Sequence, residues 1–160
     1  MDRLWSPWRF SYITKAAPTD ACIFCAKIAD NNDRENLIVH RAERNFVLLN
    51  LYPYTNGHLM IAPYEHVPTL NDAHPDTLAE MMRLMRQCEG HLRAIYRPHG
   101  LNIGMNIGES AGAGVAGHIH MHMLPRWTGD ANFMTVVGET RVLPESLETT
   151  YEKLSAAFEK

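Results

Sequence analysis

Apolar and polar residues come in short bursts over the first third of the chain and then switch to a helical rhythm. Residues 37–39 and 46–50 are apolar runs split by the polar turn Ala42-Glu43-Arg44-Asn45, and residues 58–62 follow the turn signal Pro53-Tyr54-Thr55-Asn56-Gly57. Short apolar runs bounded by turn residues predict strands in a β-meander. Over residues 75–96 the apolar positions Leu78, Met81, Met82, Met85, Cys88, Leu92 and Ile95 recur at three and four, and Pro98-His99-Gly100 stops the run. That spacing predicts one long amphipathic helix whose methionines belong to a core-facing stripe rather than a binding groove. Residues 101–107 alternate again, residues 108–117 form a loop of small residues, and the apolar run 118–124 carries a histidine at every second position. Residues 144–158, with Leu147, Tyr151, Leu154 and Phe158, predict a second helix opening at Pro144. The strands cluster around one long helix instead of alternating with helices, so the pattern predicts an α+β fold with an antiparallel sheet.

At 160 residues and 46% hydrophobic composition the chain fits one domain. A net charge of −3 with 21% charged residues offers no broad basic surface. Extended nucleic acid is therefore not an expected partner, whereas a small anionic ligand is compatible. No apolar stretch approaches the roughly 20 residues of a membrane span. The start Met1-Asp2-Arg3-Leu4-Trp5 lacks the apolar core of a signal peptide, so a soluble, cytoplasmic protein with no membrane partner is expected. Residues 1–20 carry Trp5, Trp8, Phe10 and Tyr12 and read as an arm that packs on the body or on a partner.

Three features carry chemistry. His118, His120 and His122 occupy alternate positions, which on a strand point to one side. A buried imidazole brings two nitrogens that must be bonded or ligated, so an apolar strand has no packing reason to hold three of them. The loop before them, with Gly108, Gly112, Gly114 and Gly117 among other small residues, lets an anion approach main-chain N–H groups. Its spacing fits neither the P-loop nor the dinucleotide fingerprint, and a purely structural turn explains it as well. Cys22-Ile23-Phe24-Cys25 supplies half of a tetrahedral zinc site. A redox pair is the rival reading, but such motifs precede the helix of a βαβ unit, a pattern this chain lacks. The third cysteine, Cys88, falls in the helical stripe and reads as core. Trp127 and the N-terminal aromatics can stack on a base, although packing accounts for an aromatic equally well.

Gly57-His58, the small-residue loop and His118-x-His120-x-His122-x-Leu124-Pro125-Arg126 together resemble the histidine triad (HIT) nucleotide hydrolases and transferases. The likeness runs from Cys22 to Phe133. The segments around Asn50 and from Trp127 to Phe133 are most similar to the branch that includes bacterial diadenosine tetraphosphate phosphorylases. The resemblance implies one HIT domain, with the arm at 1–20, the core at 21–133 and a C-terminal strand and helix at 134–160. It implies His120 as nucleophile towards an α-phosphorus, His122 as the group that steadies the phosphoryl oxygens or protonates the departing chain, and His58 as a hydrogen-bond partner in the same site. A neutral imidazole near its ordinary pKa of about 6.5 is a competent nucleophile, which agrees.

The resemblance further places Asn50 on the ribose and Asn106 near the phosphates, where a strand-end asparagine bonding its own backbone is the alternative. Many relatives have a serine or threonine in the loop where this chain has Gly114. The amides of Gly112, Ala113 and Gly114 are then the expected phosphate contacts. A zinc set of Cys22, Cys25, His66 (in Pro63-Tyr64-Glu65-His66) and His118 is implied, structural because all four positions are filled. Neither a catalytic metal nor an organic cofactor is expected, and a homodimer is. His40, His74, His91 and His99 match nothing and read as surface residues. The implied reaction is nucleotidyl transfer from a dinucleoside polyphosphate through a nucleotidyl-histidine, with phosphate as the favoured acceptor. Left open are water as acceptor, on dinucleoside polyphosphates or nucleoside phosphoramidates, and a nucleotide-binding regulatory module with incidental turnover.

Overall fold

The computed structural model describes residues 21–132, 135 and 143–159. The expected aromatic arm at 1–20, Phe133 and the strand expected after residue 134 lie outside the described residues. In chain order the elements are α1 (Ile23–Ala29), α2 (Asp33–Asn36), β1 (Ile38–Arg41), β2 (Asn45–Leu49), β3 (Leu59–Pro63), α3 (Pro75–Tyr96), β4 (Gly100–Met105), β5 (Met121–Arg126) and α4 (Leu147–Phe158). The strands form one sheet in the order β1-β2-β3-β5-β4 with every pair antiparallel. The expected α+β architecture is thus the observed one.

Every residue of β2 and β3 is buried, because both faces of the sheet are covered. Alternate residues divide between the faces. Val47, Leu49, Leu59, Ile61 and Met123 meet Met81, Leu84, Met85, Cys88 and Leu92 of α3. Phe46, Leu48, Met60 and Ala62 meet Phe24 of α1 on the other side. Each fully buried side chain of this size contributes about 1.5–3 kcal/mol relative to exposure, so α3 is the main clamp and α1 a smaller one.

Helix α3 occupies the predicted span, but its buried face is rotated from the predicted stripe. Met82 is 57% exposed and Leu84 is buried, as follows from the 100° step that carries position 82 away from 81 and 85. Thr77 and Glu80 also lie on the buried face. The Glu80 carboxylate accepts hydrogen bonds from the Arg44 amide and the Asn45 side chain, both at 2.8 Å, tying the helix to the β1–β2 turn. Helix α4 begins three residues later than a start at Pro144 would give. Ser146 caps it, its hydroxyl accepting from the Thr149 amide at 3.2 Å. Phe158 near its end is gripped between His40, stacked at 4.6 Å, and His91, edge-on at 4.6 Å. These two histidines are therefore packing residues rather than the simple surface residues expected.

The histidine run departs from the predicted strand 118–124 in a way that matters. Strand β5 begins only at Met121, and its ladder with β3 runs from Leu59↔Met123 to Ile61↔Met121. Two residues further on β3 comes Pro63, which has no N–H to donate, so the ladder stops there. The Ile119 amide turns instead to the Val67 carbonyl at 2.8 Å. His118 and His120 therefore sit on the irregular chain entering the sheet, and only His122 is on the strand.

Candidate active site

Gly57 sets His58 at the entry to β3. It has φ +74°, and a Cβ there would lie 3.0 Å from Leu92, 3.1 Å from Tyr96 and 3.2 Å from Pro125. Glycine alone fits both the backbone and the space. The His58 ring is buried, and its Nδ1 accepts a hydrogen bond from the Tyr54 amide at 3.2 Å. An amide can only donate, so neutral His58 carries its proton on Nε2. That Nε2 lies 3.0 Å from His122 Nδ1 and donates to it. His122 in turn must carry its own proton on Nε2, presented to the face where the run opens. Burial, and secondarily the charge of His122, push His58 down to about 3; burial, and secondarily His120, push His122 down to about 4. Both are neutral at pH 7.

His120 obeys the same logic with the opposite outcome. Its Nδ1 lies 2.8 Å from the His118 carbonyl, to which it must donate, so the lone pair of a neutral ring is on Nε2. Burial lowers its pKa, offset in part by that carbonyl bond. The His120 and His122 rings meet edge-on at 5.0 Å. One bare nitrogen and one N–H donor are thus side by side. Phe24 from α1 lies under both His118 and His120, with ring centres 5.1 and 4.9 Å away.

His118 faces a different neighbourhood. Its Nε2 donates to the Pro63 carbonyl at 2.8 Å, which leaves Nδ1 aimed at Cys22 Sγ, 3.4 Å away, and Cys25 Sγ, 3.7 Å away. His66 Nδ1 lies 3.4 Å from Cys25 Sγ, and the four donor atoms are all within 4.8 Å of one another. Zinc bonds of about 2.3 Å to sulfur and 2.0–2.1 Å to nitrogen at a tetrahedral angle require N···S near 3.5 Å, so the set has the right span for that ion. Burial, then the hydrogen bond and charge of Cys22, raise the Cys25 thiol above its ordinary value, so a bound cation has to displace that proton. The C-x-x-C pair does open a helix, since Cys22 caps α1. The sheet is nevertheless antiparallel and two imidazoles close on the sulfurs, an arrangement unlike a redox βαβ unit.

The expected nucleotide contacts are more scattered. Asn50 Oδ1 accepts from the Tyr52 amide at 3.0 Å, the local turn weighed as its alternative role, while its Nδ2 points to the His58 ring at 3.4 Å. Asn106 donates to the Gly112 carbonyl at 3.4 Å and closes the glycine loop. Within that loop the Gly112 amide donates to Glu109 and the Ala113 amide to Gly108. Of the three expected phosphate-facing amides, Gly114 is thus the one with no hydrogen bond among the described residues. Trp127 is half-buried and lies in the wall of a cavity of about 640 Å³, together with Tyr54, Asn56, Asn102, Leu124 and Arg126. Leu124 is two residues along β5 from His122, on the same face.

Phe24, the Tyr54 amide and the carbonyls of Pro63 and His118 fix the rings, yet only Phe24 carries a sequence signal, as the aromatic residue inside the C-x-x-C.

A family model, the HIT domain, matches residues 31–129. The chain belongs to the HIT family. It is 38% identical over 166 aligned positions to the AP-4-A phosphorylase of Mycobacterium tuberculosis, covering 99% of this chain and 85% of the relative. It is 29% identical to the asymmetrical bis(5'-nucleosyl)-tetraphosphatase of Schizosaccharomyces pombe, over 58% of this chain and 50% of that one. Among solved structures, a zinc-bound histidine triad family protein from Mycobacterium smegmatis superposes with a TM-score of 0.71 at 29% identity, covering 88% of this chain and 94% of its own. Among the described residues no helix is long and apolar enough to cross a membrane.

Proposed function

We propose that this HIT-family enzyme cleaves dinucleoside polyphosphates, diadenosine tetraphosphate among them, and passes the nucleotidyl group to inorganic phosphate. The observation that carries the reading is the fixed tautomer pair: His120 offers a bare Nε2 beside the Nε2–H of His122. His120 Nε2 forms a bond to the α-phosphorus while the bond from that phosphorus to the bridging oxygen breaks, releasing ATP and leaving AMP on the ring. An oxygen of inorganic phosphate then attacks the same phosphorus, the P–N bond breaks, and ADP leaves. His122, neutral down to about pH 4, serves as a hydrogen-bond donor to the phosphoryl oxygens and not as a strong acid. His58 keeps that donor pointed at the site by occupying Nδ1.

Cys22, Cys25, His66 and His118 are proposed to hold one zinc ion with every position filled by protein. When bound, the ion supplies structure: it ties α1 to the chain entering β5, and the His118 carbonyl in that chain orients the nucleophile. A reducing cytoplasmic setting keeps both thiols available. The proposal includes a homodimer, supported by the position of β4 at the sheet edge with Ile103 half exposed; light scattering tests it.

Product analysis decides the acceptor. Diadenosine tetraphosphate incubated with phosphate should give ADP and ATP in equal amounts, and without phosphate should give little product. AMP and ATP formed irrespective of phosphate would make the enzyme a hydrolase, the reading favoured by its likeness to the fission-yeast tetraphosphatase. Binding with no turnover under either condition would leave a regulatory module.

A further inference from the structure

The 640 Å³ cavity lies outside the tautomer pair and has no part in the two steps above, yet it opens on the same face of β5. From His122 the face continues through Leu124 to Arg126, about 13 Å of strand at roughly 3.3 Å per residue. Among the described residues the start of the lane between them is open: Gly104 pairs with His122 across the β4–β5 ladder, and a Cβ added there would meet nothing within 4 Å. At the far end, Trp127 and Tyr54 bring aromatic surface and Asn56 and Asn102 bring amides. The cavity also holds a cation, but a spent one. The Arg126 guanidinium gives Nε and Nη2 to the Asp130 carboxylate and Nη1 to Asn102 Oδ1 at 2.6 Å. A neutralised arginine does not make a phosphate trap. Two buried oxygens of residues in the wall, Thr55 Oγ1 and Asn56 Oδ1, have no hydrogen-bond partner among the described residues.

We infer that this cavity receives the second nucleoside of the substrate, the one carried off on the departing nucleotide. This rests on the reading that His120 attacks a dinucleoside polyphosphate. An aromatic face with amide donors and acceptors suits a neutral purine nucleoside, which stacks on the ring and bonds along its edge. The volume falls within the range of small-ligand sites. The phosphates between the attacked phosphorus and the second ribose cross the Gly104 lane, so the cavity selects for a nucleoside at the end of the bridge.

The test compares diadenosine tetraphosphate with adenosine 5'-tetraphosphate, which has the same bridge and no second nucleoside. The wild type should prefer the former in kcat/KM. Asn102→Trp, which fills the cavity from β4, should cut that preference about tenfold, the equivalent of one or two lost contacts. Asn56→Leu, nearly isosteric and replacing an oxygen with no partner, should cut it severalfold while leaving the melting temperature unchanged or higher, which keeps the test valid should the tryptophan variant not fold. Calorimetry with His120→Ala, which binds without turning over, should show the same ratio as a difference in affinity. Turnover of both substrates with a ratio that neither variant moves would overturn the cavity assignment alone. Turnover of neither by the wild type would overturn the functional reading and this inference with it.

Discussion

The two ends of the histidine run are chemically alike and do opposite things. At one end His118 gives Nε2–H to the Pro63 carbonyl and turns Nδ1 towards two sulfurs and a second imidazole. At the other end His122 accepts at Nδ1 from His58 and turns Nε2–H towards the open face. Between them His120 gives Nδ1–H to a carbonyl and keeps a bare Nε2. No ring differs in composition; what differs is which nitrogen a neighbour has already taken. A main-chain carbonyl can only accept and an amide can only donate, so four backbone or ring partners suffice to assign three separate roles.

The sharpest way to break this division is to remove the proposed nucleophile. His120→Ala should lower turnover of diadenosine tetraphosphate at least about 10⁴-fold while nucleotide affinity, read by calorimetry, changes little. Retained turnover would show that the bare nitrogen is not the attacking group. Next in size is the metal end. Cys25→Ser, or treatment with a strong chelator, should cost several kcal/mol of stability, seen in thermal melts, because ligand binding and folding energy are linked at a closed site. Metal analysis of the purified protein should give one zinc per chain. Activity should fall only as the His118 carbonyl loosens, so a variant that keeps its melting temperature but loses all turnover would move zinc from structure to chemistry. Smaller again is the relay. His58→Phe, which keeps a buried ring but has no N–H to give, removes the donor that fixes His122 and should lower kcat about 10–100-fold with KM little changed. A change confined to KM would make His58 a binding residue instead of a positioning one.

Much of this was legible in the chain. The α3 span, most strand positions and the grouping of Cys22, Cys25, His66 and His118 follow from periodicity, from motif spacing and from the family resemblance. What was not legible comes from partners that have no residue type. Pro63 ends the β3–β5 ladder and offers its carbonyl to His118, and neither consequence appears in a pattern of apolar and polar letters. The start of β5 at Met121 therefore escaped a reading based on alternation alone. The same blindness applies to α3, where Glu80 is buried because the Arg44 amide and Asn45 wait for it across the sheet. The glycine loop read equally as an anion nest or a structural turn, and Gly112 and Ala113 spend their amides on the loop's own carbonyls.

Acid should separate the two ends with the smallest and most general effect. His58 and His122 have an ordinary pKa of 6.5 when unfolded and are held at about 3 and about 4 in the folded chain, chiefly by burial. Between those values the unfolded chain takes up protons that the folded chain refuses, so stability is full above pH 6.5 and drains away as pH falls towards 4. Each such histidine contributes a slope of up to about 1.4 kcal/mol per pH unit inside that window. Melts from pH 7 to pH 5 should therefore fall by several degrees, and His58→Gln should flatten the slope by removing one of the histidines that burial holds neutral. A slope untouched by that substitution would mean that the acid sensitivity belongs to the other histidines whose pKa burial lowers, His118 and His120 among them.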